Sequence, residues 1–156
     1  MTGSDQDPAV KARHRQTYEQ VLMALRDLPQ VEVVGAAFTG PYANSNWGSG
    51  SRLAGGRDID YGVNNATDSY AELLKIPIVE GRWFSREDDG RPYRPAVVTR
   101  ELARMAFGDA DPVGKDIPME AAAPGEPASR RRRVVGVLAA YRDGSDYATP
   151  GPFAIF

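Results

Sequence analysis

A chain of 156 residues has the length of one domain, and folding at that size buries roughly 70% of the surface the unfolded chain exposes, enough for a core. Its 42% hydrophobic content, mean hydropathy of −0.44 and net charge of −2 argue against intrinsic disorder, an internal membrane span and a global field that would draw it to nucleic acid. Cysteine is absent and histidine occurs once, at His14. Disulfides and zinc–thiolate sites are therefore excluded, and any histidine triad or histidine metal centre would rest on one residue.

Residues 1–15 read as a polar tail containing Pro8. From Gln16, the spacing of Tyr18, Val21, Leu22, Leu25 and Leu28 predicts a helix with one apolar face, on which Leu22 and Leu25 are expected to be buried. Pro29 stops it, and the β-branched run Val31–Phe38 predicts a strand. Residues 39–57, rich in Gly, Asn and Ser, read as one long loop. Tyr42 and Trp47 are its large apolar groups and its candidate partner contacts. Its glycines have neither the P-loop nor the dinucleotide spacing, so no ATP site is expected.

Asp58–Asn64 alternates, with Ile59, Tyr61 and Val63 on one face of a half-buried strand. Asp58 and Asp60 share the other face, with Cα atoms about 7 Å apart. With Asp88 and Asp89 they are the carboxylates a hydrolase would have to use, and nothing adjacent completes such a site. A short helix follows, with a Ser69/Glu72 capping box and Tyr70, Leu73 and Leu74 turned inward. Gly81-Arg82-Trp83-Phe84 leads into an acidic turn over 85–89. Ala96–Thr99 predicts a strand, and Glu101–Phe107 a helix ended by Gly108. Asp111-Pro112-Val113-Gly114-Lys115 is a turn into a strand near 115–119. Residues 120–129 form a low-complexity hairpin tip, and Arg130–Arg133 open the returning strand Val134–Ala140. Residues 141–152 are a loop, and Phe153–Phe156 reads as a last strand.

The order of these motifs resembles the MacB-like periplasmic core domain of FtsX-like ABC transporter permeases. The resemblance starts at Leu25-Arg26-Asp27-Leu28-Pro29-Gln30-Val31-Glu32, where Gln30 replaces the family's usual glycine. It continues through Tyr70–Phe84, the acidic Glu87-Asp88-Asp89, Val97–Arg104, Asp111–Lys115 and Arg133–Val137, and covers about residues 16–156. Its matching structural residues are Gly81, Arg82, Asp111, Pro112, Gly114, Lys115 and Gly136.

The resemblance implies an α+β fold. A split α/β membrane-proximal lobe (16–42 and 153–156, partly missing here) would carry an inserted α+β lobe (43–140), with 141–152 as a loop. It implies no catalytic, cofactor or metal residues. The domain would lie on the extracytoplasmic, periplasmic face of the bacterial inner membrane, as part of a membrane-embedded protein. The implied partners are the permease's transmembrane helices, a cytoplasmic ABC ATPase and a periplasmic adaptor protein, without nucleic acid. The implied role is to couple the ATPase cycle to cargo export or to the adaptor. The alternative is a sensing module that binds a peptide or lipid, for which the 42–47 loop is the sequence hint.

Overall fold

The structure, a computed structural model, describes residues 7–40, 47–53, 56–118, 131–142 and 149–156. The chain divides into two units, Met1–Gly35 and Ala36–Phe156.

In the first unit the expected tail is helical from its eighth residue. Helix α1 runs Pro8–Arg26 because Asp7 caps it: the Ala9 N–H donates to Asp7 Oδ1 at 2.8 Å, and Pro8 fills a position where no N–H is needed. The sequence reading began this helix eight residues late, because the Asp-Pro start lies outside the apolar stripe. None of its residues is buried: Leu22 is half-buried and Leu25 is 41% exposed. The expected buried Leu22/Leu25 face is thus corrected. Leu22→Ala should cost about 1 kcal/mol or less in urea unfolding, instead of the 2–5 of a docked leucine (both approximate).

The strand expected over Val31–Phe38 does not form. Fitness for a pleated surface needs a partner strand, and the segment makes one isolated bridge, Ala37 to Ala66. Within the second unit its end is tied differently: Ala36 N–H donates to Thr67 Oγ1 at 2.9 Å, and Asn64 Nδ2 donates to Thr39 O at 2.8 Å.

The second unit is built on a six-stranded mixed sheet in the order β1-β2-β6-β4-β5-β3. The strands are β1 Trp47–Arg52, β2 Asp58–Asn64, β3 Ile78–Gly81, β4 Arg94–Thr99, β5 Arg132–Leu138 and β6 Phe153–Ile155. β2–β6 and β4–β5 are parallel; the other pairs are antiparallel. β1 lies inside the segment read as loop: its Gly-Ser sequence has no strand signal and is paired residue for residue against β2. β6, grouped by the sequence reading with residues 16–42, is a central strand between β2 and β4. The strand expected near 115–119 reduces, among the described residues, to a single bridge from Asp116 to Arg133.

Alternation places residues on both sheet faces. Ala96 and Val98 of β4, Ile59 and Tyr61 of β2 and Ala154 of β6 join one core, beneath Leu102 and Ala103 of helix α3 (Arg100–Phe107). Val97, Phe153 and Ile155 join a second core with Phe84 and Trp83. β4 and β6 are therefore buried on both sides, as the apolar run in β4 requires, whereas β2 keeps Asp58 and Asp60 exposed on its second face. α3 is capped by Thr99, whose Oγ1 accepts from Leu102 N–H at 3.4 Å, and ended by Gly108 at φ 65°. The short helix α2, Tyr70–Leu74, lacks the expected capping box. Ser69 sits at φ −82°, ψ −2°, a helical geometry that gives no side-chain cap bond. Of its expected inward residues only Tyr70 is buried; Leu73 and Leu74 are exposed.

Candidate functional site

The matched structural residues of the second unit converge on one strand, β5. Its register against β4 shifts between Ala96–Val134 and Val97–Gly136, so Val135 is an extra residue and β5 bulges there. This explains how Val134 and Val137, three residues apart, reach the same core. The bulge also presents Val135 O to β3, where the Arg82 N–H donates to it at 2.9 Å.

Two glycines make that approach possible. Gly81 has φ +68°, and a Cβ on it would stand 2.3 Å from Val135 O. A Cβ on Gly136, its register partner, would stand 2.1 Å from Arg82 O. No side chain fits at either position without moving backbone.

Arg82 is held by its own loop. Its Nη1 and Nη2 donate to Asp88 Oδ2 and Oδ1, each at 2.7 Å, a bidentate pair. Asp88 lies in the 3₁₀ turn Arg86–Asp88; Ser85 N–H donates to its Oδ2 at 3.0 Å, and Ser85 Oγ accepts from Glu87 N–H. Asp88 is 4% exposed. Arg82's bonds, then Ser85 N–H, hold it below the ordinary aspartate range despite burial.

The 111–115 turn meets β5 on the same edge as β3, nearer the start of the strand. Asp111 Oδ1 accepts from Val113 N–H at 2.9 Å, Pro112 is buried, and Gly114 takes φ +81°. Gly114 N–H donates to Val134 O at 2.8 Å, and Val134 N–H donates to Lys115 O at 2.9 Å. Lys115 contributes its backbone here, and its side chain is exposed. All seven motif residues thus stand on or beside β5, on turns that brace it. Arg133 adds a third brace, its Nε 2.8 Å from Asp116 Oδ1.

The four carboxylates do not assemble. Asp58 is ion-paired with Arg52 at 2.8 Å, which holds its carboxyl low, and Asp60 is exposed beside it on β2. Asp88 is engaged with Arg82, and Asp89 is exposed. Among the described residues no group of three or more His, Asp or Glu could hold a metal ion. Tyr42 and the Trp47 side chain lie outside the described residues. Sequence reasoning missed the Arg82–Asp88 pair. Its signal was an arginine three residues before an acidic turn whose first residue, Ser85, is a cap former.

The family model of the MacB-like periplasmic core domain matches residues 2–156. A relative from Chlorobaculum tepidum, the macrolide export ATP-binding/permease protein MacB, is 40% identical over 76 residues, 49% of this chain and 10% of that protein. Among solved structures, the extracellular domain of the noncanonic ABC-type transporter YknZ from Gram-positive bacteria is similar at TM-score 0.57 and 19% identity. That likeness covers 88% of this chain and 62% of that one. The periplasmic region of MacB from Actinobacillus actinomycetemcomitans is similar at TM-score 0.54 and 15% identity, over 88% and 54% of the two chains. This chain therefore spans about a tenth of the curated relative and little over half of these structures. These likenesses agree in fold with the mixed α/β sheet, and the family match covers nearly every residue: the chain belongs to the MacB-like periplasmic core domains, the extracytoplasmic part of MacB-like ABC transporter permeases.

Proposed function

We propose that this domain is a non-catalytic coupling element. It transmits the cycle of a cytoplasmic ABC ATPase, through the permease's transmembrane helices, to cargo export or to a periplasmic adaptor protein. The observation that carries this reading is the convergence of the motif residues on β5. They form backbone approaches and an ion pair to a buried aspartate that stiffen a sheet, and a part that passes displacement must be stiff. In this reading 16–42 belongs to the membrane-proximal lobe, and Tyr42 and Trp47 contact the partner.

The test uses the whole permease with its ATPase, reconstituted in liposomes. Arg82→Ala should lower transport severalfold while ATP hydrolysis persists, because the motor is intact and its linkage is loosened. Transport and hydrolysis that both stay at the wild-type level would overturn the reading.

A further inference from the structure

Three arginines of the second unit pair with a carboxylate: Arg52 with Asp58, Arg82 with Asp88 and Arg133 with Asp116. Arg94 and Arg132 differ. They are direct register partners on the parallel strands β4 and β5, so their Cα atoms are about one strand spacing apart, near 4.8 Å. Each lies two residues before a member of the same core, Ala96 and Val134, and so leaves the sheet on that face. Both guanidinium carbons stand over one ring, that of Phe156, at 5.1 and 4.8 Å from its centroid.

Their hydrogen-bond partners are neutral. Arg94 Nη2 donates to Asn65 Oδ1, and Arg132 Nη1 donates to the Tyr61 hydroxyl at 2.8 Å. Among the described residues neither forms an ion pair with an acid. Two like charges are thus gathered at one end of an apolar core. The ring face attracts both cations but neutralises neither. Partial burial, and next the charge of Arg132, make the protonated form of Arg94 less favourable than in water. Each guanidinium has five N–H donors in a planar fork, and each gives one to a neutral acceptor here. The remaining donors suit a doubly charged tetrahedral oxyanion, which can accept from two forks at once.

We infer that Arg94 and Arg132, seated on Phe156 beside Asn65 and Tyr61, form a binding site for a phosphate-bearing anion. The site lies apart from the Gly81–Gly136 approach and the Arg82–Asp88 pair, and it does not depend on the coupling reading. The phosphate belongs either to a soluble molecule or to a lipid headgroup.

Inorganic phosphate is the first probe, followed by ³¹P line broadening at low ionic strength, where such contacts are least screened. Wild type should broaden the line saturably. Arg94→Gln and Arg132→Gln should each weaken binding about tenfold, whereas Arg52→Gln should bind as wild type does. No broadening by wild type, or equal broadening by wild type and both variants, would overturn the proposal. Far-UV circular dichroism checks the folding of the variants; should Arg132→Gln fail to fold, the exposed Arg94 side chain decides the test through Arg94→Gln. Sedimentation with phosphatidylglycerol and phosphatidylcholine vesicles separates the sources. Retention on the former that both Gln variants lose assigns the site to a lipid headgroup. A ³¹P response without retention assigns it to a soluble phosphate-bearing molecule.

Discussion

Gly136→Ala is expected to destabilise the second unit by about 3 kcal/mol, the upper range for overpacking. The added carbon would lie 2.1 Å from the Arg82 carbonyl oxygen. That atom is backbone and cannot rotate away, so β3 and β5 must separate, breaking the Arg82 N–H to Val135 O bond. Gly81→Ala should cost at least as much, because it adds left-handed backbone strain to the same overlap. Gly90→Ala is the control. Gly90 also has positive φ, at +74°, but a Cβ there meets nothing within 4 Å. It should cost only about 1 kcal/mol, the conformational part alone. Urea unfolding of the three variants gives the order directly. A Gly136→Ala midpoint equal to that of Gly90→Ala would mean that the two strands do not approach this closely.

Asp88→Asn is expected to cost about 2–3 kcal/mol. Removing one member of a buried pair costs about 3–5 kcal/mol, and the figure is reduced because Arg82 is half-exposed and regains solvation. Asp58→Asn, which also breaks an ion pair with arginine, should leave the unfolding midpoint unchanged, since both partners there are in water. The pair also has a pH signature. Asp88 titrates lower in the folded chain than the about 3.9 of an unfolded aspartate. Below that value the unfolded chain takes up the proton first. Its stabilisation is thus complete above about pH 4 and is lost as the pH falls through the folded value. Asp68 acts in the opposite sense. Burial, then Asp89, raise its carboxyl, so acid relieves it as the pH falls through that raised value, before Asp88 begins to lose stability. In Asp88→Asn the acid limb of a stability–pH curve should flatten, and the Asp68 contribution should persist in weaker form, because burial and Asp89 still raise its carboxyl while the Asp88 charge no longer does.

Local periodicity made much of the second unit readable. β2 alternates, so Ile59 and Tyr61 face the core and Asp58 and Asp60 face water. The run in β4 and the stripe in α3 were equally plain, and Gly108 ends α3 where the sequence placed it. What stayed hidden depended on distant partners. β1 is a strand because β2 lies beside it, and nothing in Trp-Gly-Ser-Gly-Ser-Arg prefers a pleat. Val31–Phe38 has the composition of a strand and lacks the neighbour. The β5 bulge is invisible in Val-Val-Gly-Val-Leu, since the extra residue is defined only against the register of β4. The motif glycines and Arg82 were identifiable as a set, but their convergence on one strand required the topology. Arg94 lay in none of the quoted motifs, and Arg132 was read within the arginine run that opens the returning strand.

The position of β6 has a consequence for how the molecule comes to be folded. Three residues, Phe153–Ile155, join β2 on one side to β4 on the other. All the other strands precede them in the chain, yet without them the sheet is two separate pieces, β1-β2 and β4-β5-β3. During synthesis, then, no described strand earlier in the chain can join the two half-sheets, whose facing edges stay unpaired. The join spans about 90 residues from β2, a separation at which loop closure is slow. Until those residues emerge, each half-sheet is open to pairing with a neighbouring chain.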